Sequence, residues 1–312
     1  MPKVLLQRPS AQAMIAPILT FGLRLRAVNK FMVLGQGLNA LGGKPMLKAS
    51  HRRSLVAILI TLVFVALPAV ILANHSWGGY HWARTSNPFT LKLGDNVSTA
   101  WDSYLGTTSS DWSVSSVLDT IIVQGQSNPK NCRPTSGRVE VCNSKYGSNG
   151  WLGLAQIWIS GKHITQGVVK VNDSYFNTST YNKPAWRNLV MCQEVGHTLG
   201  LDHQDENFNN QPLGTCMDYS SNPDPNQHPN NHDFLQLESI YEHLDSTTTL
   251  DTSAAAAQMP PAMGEIDFES PGQWGRLVKG SRDRGTAIFE LDFGGGHKVF
   301  TFVIWASEVG NR

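Results

Sequence analysis

Acidic residues are missing from the first 53 positions, which hold nine Lys or Arg. Surfaces of folded domains mix both signs of charge, so this absence excludes an ordinary globular domain there. Met46 would serve as a conventional start, and residues 1–53 read either as an upstream extension or as a short basic cytoplasmic tail. Beyond them the balance reverses, with sixteen basic against twenty-four acidic residues, a net of −8. A mildly acidic body is a poor match for phosphate backbones, which argues against nucleic acid as a partner. Cysteines are few. There are four, and none precedes Cys132. Internal repeats are absent.

Long apolar runs are also scarce, with one exception. Leu55–Ala73 reads LVAILITLVFVALPAVILA and follows Lys48, His51, Arg52 and Arg53. A run of this length can cross a bilayer or form a generous signal-peptide core. Both place the rest of the chain outside the cytoplasm, because the basic flank stays inside. Ile71 and Ala73 fit the small-residue cleavage rule only in part, which favours an uncleaved anchor over 54–73. Membrane contact through this segment is the expectation, with the remainder extracytoplasmic or secreted. All four cysteines, Cys132, Cys142, Cys192 and Cys216, lie in that exported part, where oxidation is favoured. The pairing expected is Cys132 with Cys142, closing a loop rich in Pro, Gly and Asn, and Cys192 with Cys216.

The body carries alternating and helical patterns. Phe89, Leu91 and Leu93 alternate as a strand, after which Asp95 or Asn96 is expected to cap a helix with Val97, Trp101, Tyr104 and Leu105 on one face. Strands are expected at 117–123, 154–159 and 164–172. Pro184 opens a further helix, and Asp233 is expected to cap a last one bearing Phe234, Leu237, Ile240, Tyr241 and Leu244. Residues 246–264 read as a linker and 265–312 as a tail containing a β-hairpin. Such a hairpin is rarely stable alone, so it packs on the preceding domain, belongs to an accessory module, or meets a partner. Asn-x-Ser sequons stand at Asn96, Asn172 and Asn177.

Chemistry concentrates in Gln193-Glu194-Val195-Gly196-His197-Thr198-Leu199-Gly200-Leu201-Asp202-His203 and the later Cys216-Met217-Asp218-Tyr219. Residues 193 and 197 are one turn apart on a helix face, so both can reach one ion with Glu194 beside it. Gly200 can take positive φ, end the helix and let His203 return from a loop. Two imidazoles and a third donor would leave an open coordination position, the catalytic arrangement.

This pattern resembles the HExxHxxGxxH site and Met-turn of the metzincin zinc peptidases, with Gln193 in place of the first histidine. The resemblance covers about residues 78–245 and is strongest over 186–219. It implies an α+β fold of matrixin type: a twisted mixed sheet, an active-site helix, the Met-turn and a C-terminal helix. It implies zinc held by His197, His203 and a third group. It also implies Glu194 as the general base of peptide hydrolysis and Met217 as the apolar floor, unless Met217 is an ordinary core methionine. Tyr219 matches a tyrosine that contacts the metal or the oxyanion in some members, or it is a buried tyrosine bonded to backbone. Asp205 would orient a ligand histidine. Three arrangements remain open: Gln193 ligates, though an amide is a weaker donor than imidazole; Asp205, His228 or His232 completes the sphere; or the site is degenerate. The strand at 154–159 resembles the edge along which these enzymes bind an extended peptide, or is an interior strand. Matrixin-like domains often hold structural calcium or a second zinc, but no dense ligand cluster is visible in the sequence. The function expected is an exported zinc endopeptidase acting on peptide or protein substrates; its rival is an inactive metzincin-fold binding module at the cell envelope.

Overall fold

Alternation along Phe89–Asn96 produces the second strand of a large mixed sheet, with Phe89, Leu91 and Leu93 buried and Thr90 and Lys92 exposed. A computed structural model describes residues 74–208, 210–251, 260–265 and 270–306. All described residues belong to one compact unit within 70–312. The basic segment 1–53 and the apolar segment 54–73 lie outside the described residues. So do 252–259 of the expected linker. Among the described residues, no helix is long and apolar enough to cross a membrane.

The fold is α+β, with a mixed sheet and few helices. Its strands are β1 (His81–Trp82), β2 (Phe89–Asn96), β3 (Leu118–Gln124), β4 (Val139–Ser144), β5 (Trp151–Ser160), β6 (His163–Asn172), β7 (Arg276–Ser281), β8 (Thr286–Asp292) and β9 (His297–Trp305). They lie in the order β3-β2-β4-β6-β5-β9-β8-β7, with β1 added beside β6. Strands β3, β2, β4 and β6 pair in parallel with one another; β5 is antiparallel to both β6 and β9. The helices are α1 (Asp102–Trp112), α2 (Pro184–Thr198) and α3 (Asn231–Ile240), besides short turns.

Several expectations shift. Asp95 and Asn96 do not cap α1, because their backbones are still in the ladder opposite Val141 and Cys142; the helix begins six residues later at Asp102. Strand β4, hidden in a glycine- and asparagine-rich stretch, lies between β2 and β6. Asn230, not Asp233, is the N-cap of α3. Asp233 returns the bond from the third helical position, completing a capping box. Leu244 lies beyond α3 and is exposed. Asn96 and Asn172 are buried in hydrogen bonds to Glu140 and to the 147–151 loop, so neither sequon can carry a glycan.

Residues 276–305 do not stand apart. The hairpin of β8 and β9 is extended by β7, and β9 pairs along the whole of β5 from Trp151–Trp305 to Ser160–His297. Strand β5 is therefore interior, and both of its faces are buried. Its Leu152, Ala155, Ile157 and Ile159 join the core beneath α2, while Trp151, Leu154 and Trp158 join a second cluster with Trp274, Val299 and Val303.

Two disulfides brace this frame, Cys132–Cys142 and Cys192–Cys216, both as expected. They fit an oxidising, extracytoplasmic setting.

Candidate metal centre

Proline at the first position of α2 presets the backbone where no N–H partner is needed, and the helix then runs buried through the core from Leu189 to Thr198. A buried helix end needs partners for its last carbonyls. Trp82 Nε1 donates to Thr198 O at 2.9 Å, and the Tyr241 hydroxyl donates to Leu199 O at 3.0 Å. Gly200 follows with φ +93°, and a β-carbon there would collide with the Tyr80 carbonyl oxygen. Only glycine fits the reversal.

The reversal carries His203 back to the helix. His197 Nε2 and His203 Nε2 end 3.2 Å apart, both rings buried. His197 Nδ1 donates to Leu201 O at 2.9 Å, which directs the Nε2 lone pair toward His203. Tetrahedral ligands at zinc distances are separated by about 3.3–3.5 Å, so the pair is spaced to share one cation. Burial, the closeness of the two rings and the cationic surroundings hold His197 well below the usual imidazole range, and burial holds His203 low as well. Both are neutral and able to ligate.

Glu194 is fully buried on the same helix, and neither carboxylate oxygen has a hydrogen-bond partner. Burial pushes its carboxyl well above the ordinary range. Gly153 of β5 makes room for it: a β-carbon there would sit 2.8 Å from Glu194 Oε1 and 2.5 Å from Val190 Cγ1. Gln193 is also buried with its Nε2 unpartnered, and it lines a small recess together with Asp218, Tyr219, Phe208, Ile304 and Trp305. Buried polar atoms without partners are costly and uncommon. The two bare carboxylate oxygens of Glu194, on the helix that carries His197, fit a site built around a divalent ion. Such an ion would draw on the imidazoles of His197 and His203, with Gln193 one turn earlier on the same helix as His197.

Met217 packs under this helix, since a β-carbon on Gly196 would lie 2.5 Å from its sulfur. The Cys192–Cys216 bridge joins the same two segments. Tyr219 places its ring 4.1 Å from that of His203. Burial pushes its phenol far above the ordinary range.

The orienting carboxylate differs from expectation. Asp205 accepts from the Asn207 N–H and the Asn210 amide and bridges backbone to Tyr219. Asp202 instead has Oδ1 3.4 Å from His203 Nδ1, while its Oδ2 accepts from Lys279 Nζ at 2.6 Å. Burial alone would raise Asp202, but contact with His203 and Lys279 outweighs it and holds the carboxyl well below its usual range. Two of the alternative ligands are engaged elsewhere. His228 bonds Asp111 at 2.7 Å, and His232 stacks on His75 with centroids 4.9 Å apart. Sequence reasoning missed Asp202, although it directly precedes a ligand histidine, and Lys279, whose distance along the chain gave no signal. It also missed Phe302 of β9, which covers His197.

No family model matches the chain, and no curated protein matches it.

Proposed function

We propose that this protein is an exported zinc endopeptidase of metzincin type, anchored through 54–73, with Glu194 as general base. The observation that carries the reading is the buried, unpartnered carboxylate of Glu194 on the helix turn that presents His197 to His203. A bound zinc would supply Lewis acidity, activating water and polarising the scissile carbonyl. His197 and His203 would hold it, with Gln193 as the neighbouring amide donor. Burial makes Glu194 a strong proton acceptor for its class, suited to taking a proton from water and returning it to the leaving amine. Asp202, fixed by Lys279, stands 3.4 Å from His203 Nδ1 and would orient the ring in this reading. The ring of Tyr219 stands beside that of His203.

A second reading, a catalytically inactive metzincin-fold module that binds peptides, draws on Gln193 and on the cover that β9 lays over β5. Hydrolysis of an unfolded protein substrate by the purified full chain with zinc, compared with Glu194→Ala, decides between them. Activity lost in Glu194→Ala with zinc still bound supports the peptidase. Equal inactivity of both proteins with zinc bound supports the binding module.

A further inference from the structure

Three histidines and an aspartate converge outside the site described above. His81 comes from β1, His163 opens β6, and His243 and Asp245 follow α3. His81, His163 and Asp245 each offer a ligand atom within 4.8 Å of the others. Asp245 Oδ1 lies 3.2 Å from His163 Nε2, 3.5 Å from His81 Nε2 and 3.7 Å from His243 Nε2. His243 Nε2 is 3.2 Å from His81 Nε2. Ligands placed tetrahedrally about zinc are about 3.3–3.5 Å apart, and these separations bracket that value. His81 is the ring that the other two flank. His81 stands edge-on to His163 at 5.1 Å and to His243 at 4.6 Å between centroids.

The surroundings orient the donors inward. His81 Nδ1 donates to Gly79 O at 2.9 Å, so the neutral ring carries its lone pair on Nε2. That lone pair faces Asp245 Oδ1, another acceptor, at 3.5 Å. Two acceptors so placed repel unless a proton or a metal cation lies between them. The other carboxylate oxygen, Oδ2, is occupied by Arg84, which donates from Nη1 at 2.9 Å and from its backbone N at 3.2 Å. Arg84 also donates to the His243 carbonyl, fixing the loop that brings His243 and Asp245 into place. These backbone and arginine contacts are of the kind that hold ligating side chains in position. His243 is exposed, which leaves the ion a path of entry.

We propose that His81, His163, His243 and Asp245 form a structural zinc site. Three imidazoles and one carboxylate suit zinc and disfavour calcium or magnesium, which take oxygen ligands. A full set of four protein ligands leaves no open position, so the ion holds structure and takes no part in hydrolysis. It clips together three segments separated by about eighty residues each in sequence, at the corner where β1, the β5–β6 turn and the chain leaving α3 meet. The proposal is independent of the peptidase reading.

The test uses the full chain carrying His197→Ala and His203→Ala, so that the centre on α2 cannot bind. After chelation and titration with zinc chloride alone, this variant retains about one zinc per chain at micromolar free metal, and zinc raises its Tm by several degrees. Adding His163→Ala and His243→Ala, both at partly exposed positions, removes the bound zinc and the rise in Tm while circular dichroism stays unchanged. X-ray absorption of the zinc-loaded variant shows a shell dominated by imidazole nitrogen. Absence of zinc from the first variant overturns the proposal. Zinc held equally by the second variant overturns it too, since the ion would then lie elsewhere, for example at His75, His232 and Asp233. If the second variant fails to fold, His243→Ala alone serves: unchanged zinc affinity and an unchanged imidazole count refute the four-ligand set.

Discussion

Phe302 lies almost flat on the imidazole of His197, with ring centroids 4.3 Å apart and planes 12° from parallel. The phenylalanine comes from β9, which pairs along β5 where an extended peptide would otherwise add as a strand. Gln193, Glu194, His197 and His203 are all buried beneath this cover. In the peptidase reading, an extended substrate would lie along β5 only if β9 shifted.

Phe302→Ala is therefore expected to do two things. Loss of a fully buried ring lowers stability by about 3–5 kcal/mol, read by urea unfolding. The opened face also lets a chelator strip zinc from the α2 centre faster than from wild type. An unchanged stripping rate in a folded variant would show that the ring does not shield His197.

Substitutions within the centre separate ligand from base. His197→Ala and His203→Ala each lower zinc content by about one per chain. Glu194→Ala keeps the metal and loses hydrolysis by a factor of about a hundred or more, as expected when a positioned general base is removed. Metal analysis beside a proteolysis assay reads both. Loss of zinc from Glu194→Ala would instead make that carboxylate a ligand.

Gln193→His would complete three imidazoles on the helix and its return loop. Tighter zinc binding and equal or higher hydrolysis are the expected results, measured by competition with a chromophoric chelator. Weaker binding would mean that residue 193 does not face the ion.

Gly200→Ala places a β-carbon at φ +93° and against the Tyr80 carbonyl. The combined strain and clash lower stability by more than about 1 kcal/mol and displace His203. A reduced urea midpoint together with weakened zinc binding is the signature; a stable variant with intact binding would refute the account of the turn.

Peptide mapping without reduction is expected to recover Cys192 linked to Cys216. Replacing both by alanine costs about 2–5 kcal/mol and loosens Met217 beneath α2. A recovered Cys132–Cys216 peptide would contradict this arrangement.

Local patterns in the chain carried a good share of this. The positions of Gln193, Glu194 and His197 on one helix, the need for glycine at 200 and the return of His203 follow from spacing within a dozen residues, because helical periodicity and backbone sterics act over that range. The strand alternation at Phe89, Leu91 and Leu93, and the hairpin in residues 286–305, were legible for the same reason. What periodicity cannot encode is which strand lies beside which, since an alternating segment pairs with any other that offers backbone groups and a matching face. Whether β5 was an edge or an interior strand was open until β9 was seen against it. The neighbours of the centre were decided in the same way: Asp202 and Lys279 in place of Asp205, and Phe302 over His197. So was the cluster of His81, His163, His243 and Asp245, whose members are scattered in sequence and meet only because sheet order and the exit from α3 bring them to one corner. Local sterics wrote the motif into the sequence; long-range strand pairing and burial, which no short window contains, determined what surrounds it.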